Sequence, residues 1–142
     1  KFFGHKGRIQ NAFDTPTNPY RRLKLGNICV TATMVDIRYY VNVGGDAPFA
    51  DWFAELEPVA GARIARAIAR MEQGNFSNAK GVGEGVLEYK IDFGPGYRVY
   101  FGRDVDTIVI LLTGGTKKRQ QRDIDTAKAY WRDYRLSKRG RR

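Results

Sequence analysis

The sequence contains one cysteine, Cys29, and one histidine, His5, in 142 residues. A lone cysteine closes no internal disulfide, so the fold must rest on packing, and a cytoplasmic protein is the simple expectation. From Met34 to the end of the chain neither residue type occurs. An ordinary zinc site, a Cys/His nucleophilic pair and histidine-pair ribonuclease chemistry are therefore excluded for residues 34–142. Long apolar runs are also missing. The longest, Ile108 to Leu112, falls far short of the roughly 20 residues a membrane-spanning helix needs. No charged-then-apolar leader opens the chain, and no membrane partner is expected.

What the chain does have is enough apolar material for one domain. The hydrophobic fraction is 42%, with 8 Phe, 8 Tyr and 2 Trp, which argues against wholesale disorder. The formal net charge is +10, and it is unevenly placed. Residues 1–33 carry six Lys/Arg against one acid, residues 34–115 eight against eleven, and residues 116–142 eleven against three. A mildly acidic body with a strongly basic C-terminal segment suits a polyanionic partner, or else a solvated tail that aids solubility.

Residues 1–33 show no sustained period of 2 or 3.6, and Pro16 and Pro19 interrupt them. They read as an N-terminal extension that is either genuine or non-native and disordered, with Met34 as the natural start. The domain is expected over residues 34–135, followed by a mobile basic tail at 136–142. Ile37, Tyr39, Val41 and Val43 alternate with polar neighbours as a half-buried strand, ended by Gly44-Gly45. Asp46 and Pro48 read as the N-cap and first turn of a helix bearing Phe49, Trp52, Phe53 and Leu56 on one face. A second helix from about Val59 to Gln73 sets an Ile64, Ile68 and Met71 stripe against an arginine face of Arg63, Arg66 and Arg70. That arginine face reads first as solvated.

A Gly-rich connection (Gly81, Gly83, Gly85) leads to a hairpin. Leu87, Tyr89, Ile91 and Phe93 alternate on its first strand and Tyr97, Val99 and Phe101 on its second, joined by Gly94-Pro95-Gly96. Residues 107–112 are apolar on both faces, as a central strand should be, and Gly114-Gly115 is expected to break it. A last helix is expected from about Lys118 to Tyr134. Strand, two helices, three strands and a helix make an α+β domain, one sheet layer with helices against it.

Two stretches carry a family resemblance. The first is Gln73-Gly-Asn-Phe76, Lys80 and Gly81-Val-Gly-Glu-Gly-Val-Leu-Glu88. The second is Asp92-Phe-Gly-Pro-Gly-Tyr-Arg-Val-Tyr-Phe101, then Leu111-Leu-Thr-Gly-Gly-Thr-Lys117, Gln120 and Asp123-Ile124. In this order and spacing they resemble the addiction-module killer proteins of the RelE/ParE toxin superfamily, the branch that includes HigB, over roughly residues 34–135. The resemblance implies a RelE/ParE-like fold: an N-terminal strand and helical hairpin packed on an antiparallel β-meander, plus a C-terminal helix. It implies a type II toxin that cleaves messenger RNA on the ribosome without metal or other cofactor. Its implied partners are the ribosome, messenger RNA and a cognate antitoxin with a DNA-binding helix-turn-helix. A gyrase poison of the ParE kind, or a relative that only holds its antitoxin, is the alternative. An acidic antitoxin or ribosomal RNA would then be the partner of the arginine face.

Without histidine, such a nuclease must work with Lys, Arg, Tyr and carboxylates. Attack by the RNA 2′-hydroxyl needs a base, stabilisation of the phosphorane charge and a proton for the leaving 5′-oxygen. Clustered cations meet the second need, and crowding lowers a lysine pKa towards that of a useful base. The resemblance makes Arg98, of the Gly-Tyr-Arg motif, the phosphate-binding candidate, unless it bridges to Glu88 or Asp92. It points to Lys90 as base or charge stabiliser, unless Lys90 pairs across the strands. Lys117 matches a basic position at a strand end, where it or Lys118 could protonate the leaving group. Lys80, Tyr97, Lys118 and Arg119 are the expected RNA contacts. For Lys80 the alternative is a solvated loop position, and for Tyr97 it is core packing. The chain departs from well-known relatives in having Asp92 where several place a second lysine, and Ile124 where they place a tyrosine.

Overall fold

A computed structural model describes residues 20–25 and 28–140 of the chain. His5, the first part of the N-terminal extension and the last two residues of the basic tail lie outside the described residues. Strands β1 (Tyr20–Leu25) and β2 (Ile28–Thr33) pair antiparallel as a separate two-stranded sheet, in a stretch where no regular element was expected from sequence.

The remaining elements are β3 (Asp36–Tyr39), α1 (Pro48–Ala54), α2 (Pro58–Glu72), β4 (Ala79–Gly83), β5 (Val86–Ile91), β6 (Tyr97–Val105), β7 (Ile108–Thr116) and α3 (Gln120–Gly140). They form a five-stranded sheet in the order β3-β7-β6-β5-β4. Its β4 to β7 portion is an antiparallel meander, and β3 adds parallel to β7 at the edge, so the sheet is mixed. The α+β expectation stands at that level. The expected antiparallel meander is present, and the parallel β3 edge makes the sheet as a whole mixed.

Strand alternation sorts the core into two halves. Ile37, Tyr39, Tyr89, Ile91, Val99, Phe101, Val109 and Leu111 face α1 and α2, where they meet Phe49, Ile64, Ile68 and Met71. Val86, Tyr100, Ile110 and Leu112 face the other way, against Ile124, Ala127 and Trp131 of α3. The sheet is thus covered on both faces, which explains why β7 is apolar on both faces from Ile108 to Leu112.

Several boundaries differ from the sequence reading for identifiable reasons. β3 stops at Tyr39, and Tyr40 keeps the strand alternation by facing α3, where it stacks on Tyr130 at 5.0 Å and its hydroxyl donates to Asp133 at 2.6 Å. Asn42 and Asp46 then bond each other, closing a turn that holds Val41 and Val43 outside the sheet. The N-cap of α1 is Ala47 and not Asp46, with no side-chain cap, and Pro48 opens the helix as expected. The Gly-rich connection contains a strand, β4, whose tight link to β5 uses positive φ at Gly83, Glu84 and Gly85. α3 begins after a short 3₁₀ turn (Lys117–Arg119) and runs through the expected tail to Gly140. Tyr134 donates to Asp104 at 2.6 Å and Lys138 pairs with the same carboxylate, so its last turns are tied to β6.

Gly114-Gly115 does not break the central strand, since β7 continues to Thr116. These glycines instead make room on opposite faces. A methyl group on Gly114 would overlap the Trp52 ring of α1, and one on Gly115 would overlap the Asp123 carboxyl of α3. Gly114→Ala is expected to destabilise the fold by about 1–3 kcal/mol through overpacking against the rigid indole. A denaturant titration with an unchanged midpoint would contradict this reading.

Candidate functional site

Residues on the α3 face of the strands converge where β5 ends, β6 begins and β7 meets the 3₁₀ turn. The register places Lys90 directly opposite Arg98, and Arg98 opposite Gly115. Lys80 stands opposite Glu88 and Glu88 opposite Tyr100. Like charges directly opposed across strands destabilise a sheet, so the Lys90–Arg98 pairing is not explained by stability alone.

Beneath the surface lies a polar network centred on Glu88, whose side chain is fully buried. Glu88 accepts from the Tyr100 hydroxyl at 3.0 Å and from Gln120 Nε2 at 2.9 Å. Arg98 Nη1 lies 3.5 Å from its Oε1, and Lys80 Nζ 3.8 Å from the same oxygen. Arg98 is itself only 5% exposed. The bridge to Glu88, one of the two readings of Arg98, is therefore formed. It leaves Arg98 Nε buried without a hydrogen-bond partner. Burial, followed by the Glu88 charge and hydrogen bond, pushes the Tyr100 hydroxyl pKa well up, so it remains a donor.

Asp123, in the first turn of α3, lies against the Gly115 backbone opposite Arg98. Its Oδ2 is buried and likewise without a partner. Burial raises its pKa above the ordinary carboxylate value, outweighing the opposing charges of Arg119 and Arg122. Two orphaned polar atoms on facing elements are unusual in a native fold and call for an explanation.

Around this network stand the exposed cations Lys80, Lys90, Lys117, Lys118 and Arg119. The Lys117 backbone N–H donates to Gly96 at 2.8 Å, which pins the 3₁₀ turn to the β5–β6 hairpin. Of the residues singled out from sequence, Lys80, Lys90, Arg98, Lys117, Lys118 and Arg119 are thus brought to one end of the sheet. Tyr97 is not among them. It lies on the opposite face, half-buried between Trp52 and Phe93 with ring centroids 6.4 Å from each.

Sequence reasoning assigned no role to Gln120 or Asp123 in this cluster. Gln120 and Asp123 belonged to the recurring motif, and that was their only signal. Lys117 to Asp123 join the hairpin only through tertiary packing, which periodicity does not report. Among the described residues, no helix is long and apolar enough to cross a membrane.

The family described as Phage derived protein Gp49-like matches residues 51–133, which include the sheet end and the start of α3. A protein of Haemophilus influenzae, described only as uncharacterised, is 43% identical over 81 residues, covering 56% of this chain and 82% of its own. No solved structure matches the chain. With a buried Glu88–Arg98 network ringed by cations inside the matched region, the chain belongs to the phage-derived Gp49-like family, a toxin-like family of toxin–antitoxin systems.

Proposed function

We propose that this chain is a RelE/HigB-type toxin that cleaves messenger RNA on the ribosome and so arrests translation. Membership of a toxin–antitoxin family implies a cognate antitoxin, and a helix-turn-helix repressor is the proposed kind. The observation that carries the reading is the Lys90–Arg98 pair, set in register beside the Lys117–Arg119 turn and the orphaned Asp123 carboxyl.

In the proposed reaction the 2′-hydroxyl of one nucleotide loses its proton to Lys90 and its oxygen attacks the adjacent phosphorus. Lys117, with the fixed Arg98 charge beneath, stabilises the negative charge that develops on the phosphorane. The bond to the 5′-oxygen breaks and that oxygen takes a proton from Asp123, leaving a 2′,3′-cyclic phosphate and a 5′-hydroxyl. A carboxyl that keeps its proton above the ordinary range suits this donor role better than an ordinary aspartate. Lys80, Lys118 and Arg119 hold flanking phosphates.

Inducing the protein in bacteria while following translation, messages and chromosome integrity tests the proposal. Rapid translation arrest with messages cut inside ribosomes is expected. Broken DNA with intact messages would instead indicate a gyrase poison, and undisturbed growth a non-catalytic antitoxin binder.

A further inference from the structure

On the side of the sheet opposite the cation cluster, α2 turns a stripe of exposed residues to solvent. Val59, Ala62, Arg63, Arg66 and Arg70 are spaced so that all lie on one side of the helix. Val59 is 54% exposed. Arg63, Arg66 and Arg70 form no ion pair among the described residues, although Glu55 and Glu57 stand just before the helix. Arg63 packs over the Phe93 ring at the β5–β6 hairpin, 4.5 Å from its centroid, which orders the guanidinium without neutralising it. Pro58, Val59, Ala62, Arg63 and Arg66 line a recess of about 280 Å³ at the start of the stripe.

Stability does not explain this arrangement. Residues three and four apart are neighbours on a helix, and like charges there weaken it, as Arg63–Arg66 and Arg66–Arg70 must. The helix dipole accounts for Arg70, in the last turn, but not for Arg63 and Arg66 in the middle. The recess narrows the choice of occupant. It is smaller than the roughly 300–1,000 Å³ of small-molecule sites. A phosphate backbone has no apolar group to seat beside Pro58, Val59 and Ala62. A second copy of this chain would set arginine against arginine across a two-fold axis. An acidic amphipathic helix satisfies both features, since its carboxylates match forked guanidinium groups and an apolar side chain can anchor in the recess.

We propose that this face of α2 is the antitoxin-docking surface, where carboxylates of an acidic amphipathic helix pair with Arg63, Arg66 and Arg70 and one apolar side chain fills the recess. Docking here presupposes the toxin–antitoxin reading but not messenger cleavage. The full chain would be titrated with the antitoxin encoded beside it, and separately with a short 2′-O-methyl RNA as a rival polyanion. Arg63→Glu/Arg66→Glu should weaken antitoxin binding at least about thirtyfold, as loss of a buried charge pair does. Ala62→Trp, which fills the recess without altering charge, should weaken it at least about tenfold. Arg135→Glu/Arg139→Glu, an equal charge reversal near the end of α3, should change it less than about threefold, which separates docking from general attraction to a basic protein. Melting followed by circular dichroism checks that each variant is folded. In bacteria the two α2 variants should still arrest growth, yet escape the co-expressed antitoxin. A wild-type protein that binds antitoxin through α2 without arresting growth would sink the catalytic reading and leave the docking surface standing. Unchanged antitoxin binding in either folded α2 variant, an equal loss in the α3 variant, no antitoxin binding by the wild type, or an α2 effect confined to RNA would each overturn the assignment.

Discussion

Arg98→Ala is expected to abolish toxicity and to cost the fold about 3 kcal/mol, because it strips a buried carboxylate of a charged partner. Glu88 would keep its bonds from Tyr100 and Gln120, and Lys80 would remain 3.8 Å away. Those contacts hold the loss towards the lower end of what breaking a buried ion pair usually costs. Loss of stability could by itself silence the protein, so a second variant is needed. Glu88→Gln/Arg98→Met removes both charges and keeps most of the volume, and such paired replacements are often neutral for stability. The double variant should unfold near the wild-type denaturant midpoint, still bind its antitoxin, and lack toxicity. Full toxicity in that protein would reduce Arg98 to a packing residue and remove it from the chemistry.

Asp123→Asn should have the opposite effect on stability. In the folded chain Asp123 has a raised pKa, chiefly through burial, whereas in the unfolded chain it titrates near the usual value of about 3.9. The folded state therefore holds this proton to higher pH than the unfolded state does. The site costs nothing below the unfolded pKa, and the cost grows as pH rises through the folded pKa. Above the folded pKa the full cost of a buried carboxylate with an unpartnered oxygen is present. Asparagine removes it, so the variant should be more stable than wild type at neutral pH and similar to it near pH 3. Activity should fall by roughly 10²–10⁴-fold, the range typical of a lost general acid or base. Gains in stability and losses in activity seldom coincide at a purely structural position. A stabilised and fully active Asp123→Asn protein would show the carboxyl to be a defect without a role. A destabilised one would show that Oδ2 has a partner in solution.

Much of the architecture was legible because it rests on periodicity. The β5–β6 hairpin, the α2 apolar stripe and the central position of β7 all follow from which residues alternate. Two of the failures share a cause, which is that glycine was read locally. Gly114-Gly115 looks like a strand terminus in sequence, yet it lies within β7 and admits Trp52 on one face and Asp123 on the other. Gly81 and Gly83 look like a linker, yet they belong to an edge strand paired with β5. Parallel pairing of β3 with β7 joins segments far apart in the chain, and no local pattern reports it.

The candidate site was legible in the same uneven way. Alternation placed Lys90 and Arg98 on strands, and the recurring motif drew attention to Lys117. That Arg98 is buried under α3 against Glu88 depends on how the last helix docks. Tyr97 illustrates the reverse, since its alternation class put it on the α1 face, away from the cluster. Lys138, near the end of α3, was read as part of a tail, because its partner Asp104 lies on β6 and is distant in sequence.

The catalytic role of the sheet-end cluster is tested most directly by mapping message ends in a purified translation reaction. Wild-type protein should produce discrete new ends bearing 2′,3′-cyclic phosphates within ribosome-protected message, and Glu88→Gln/Arg98→Met protein should produce none. Messages left intact by the wild type, or cut equally by the double variant, would contradict the assignment of cleavage to these residues.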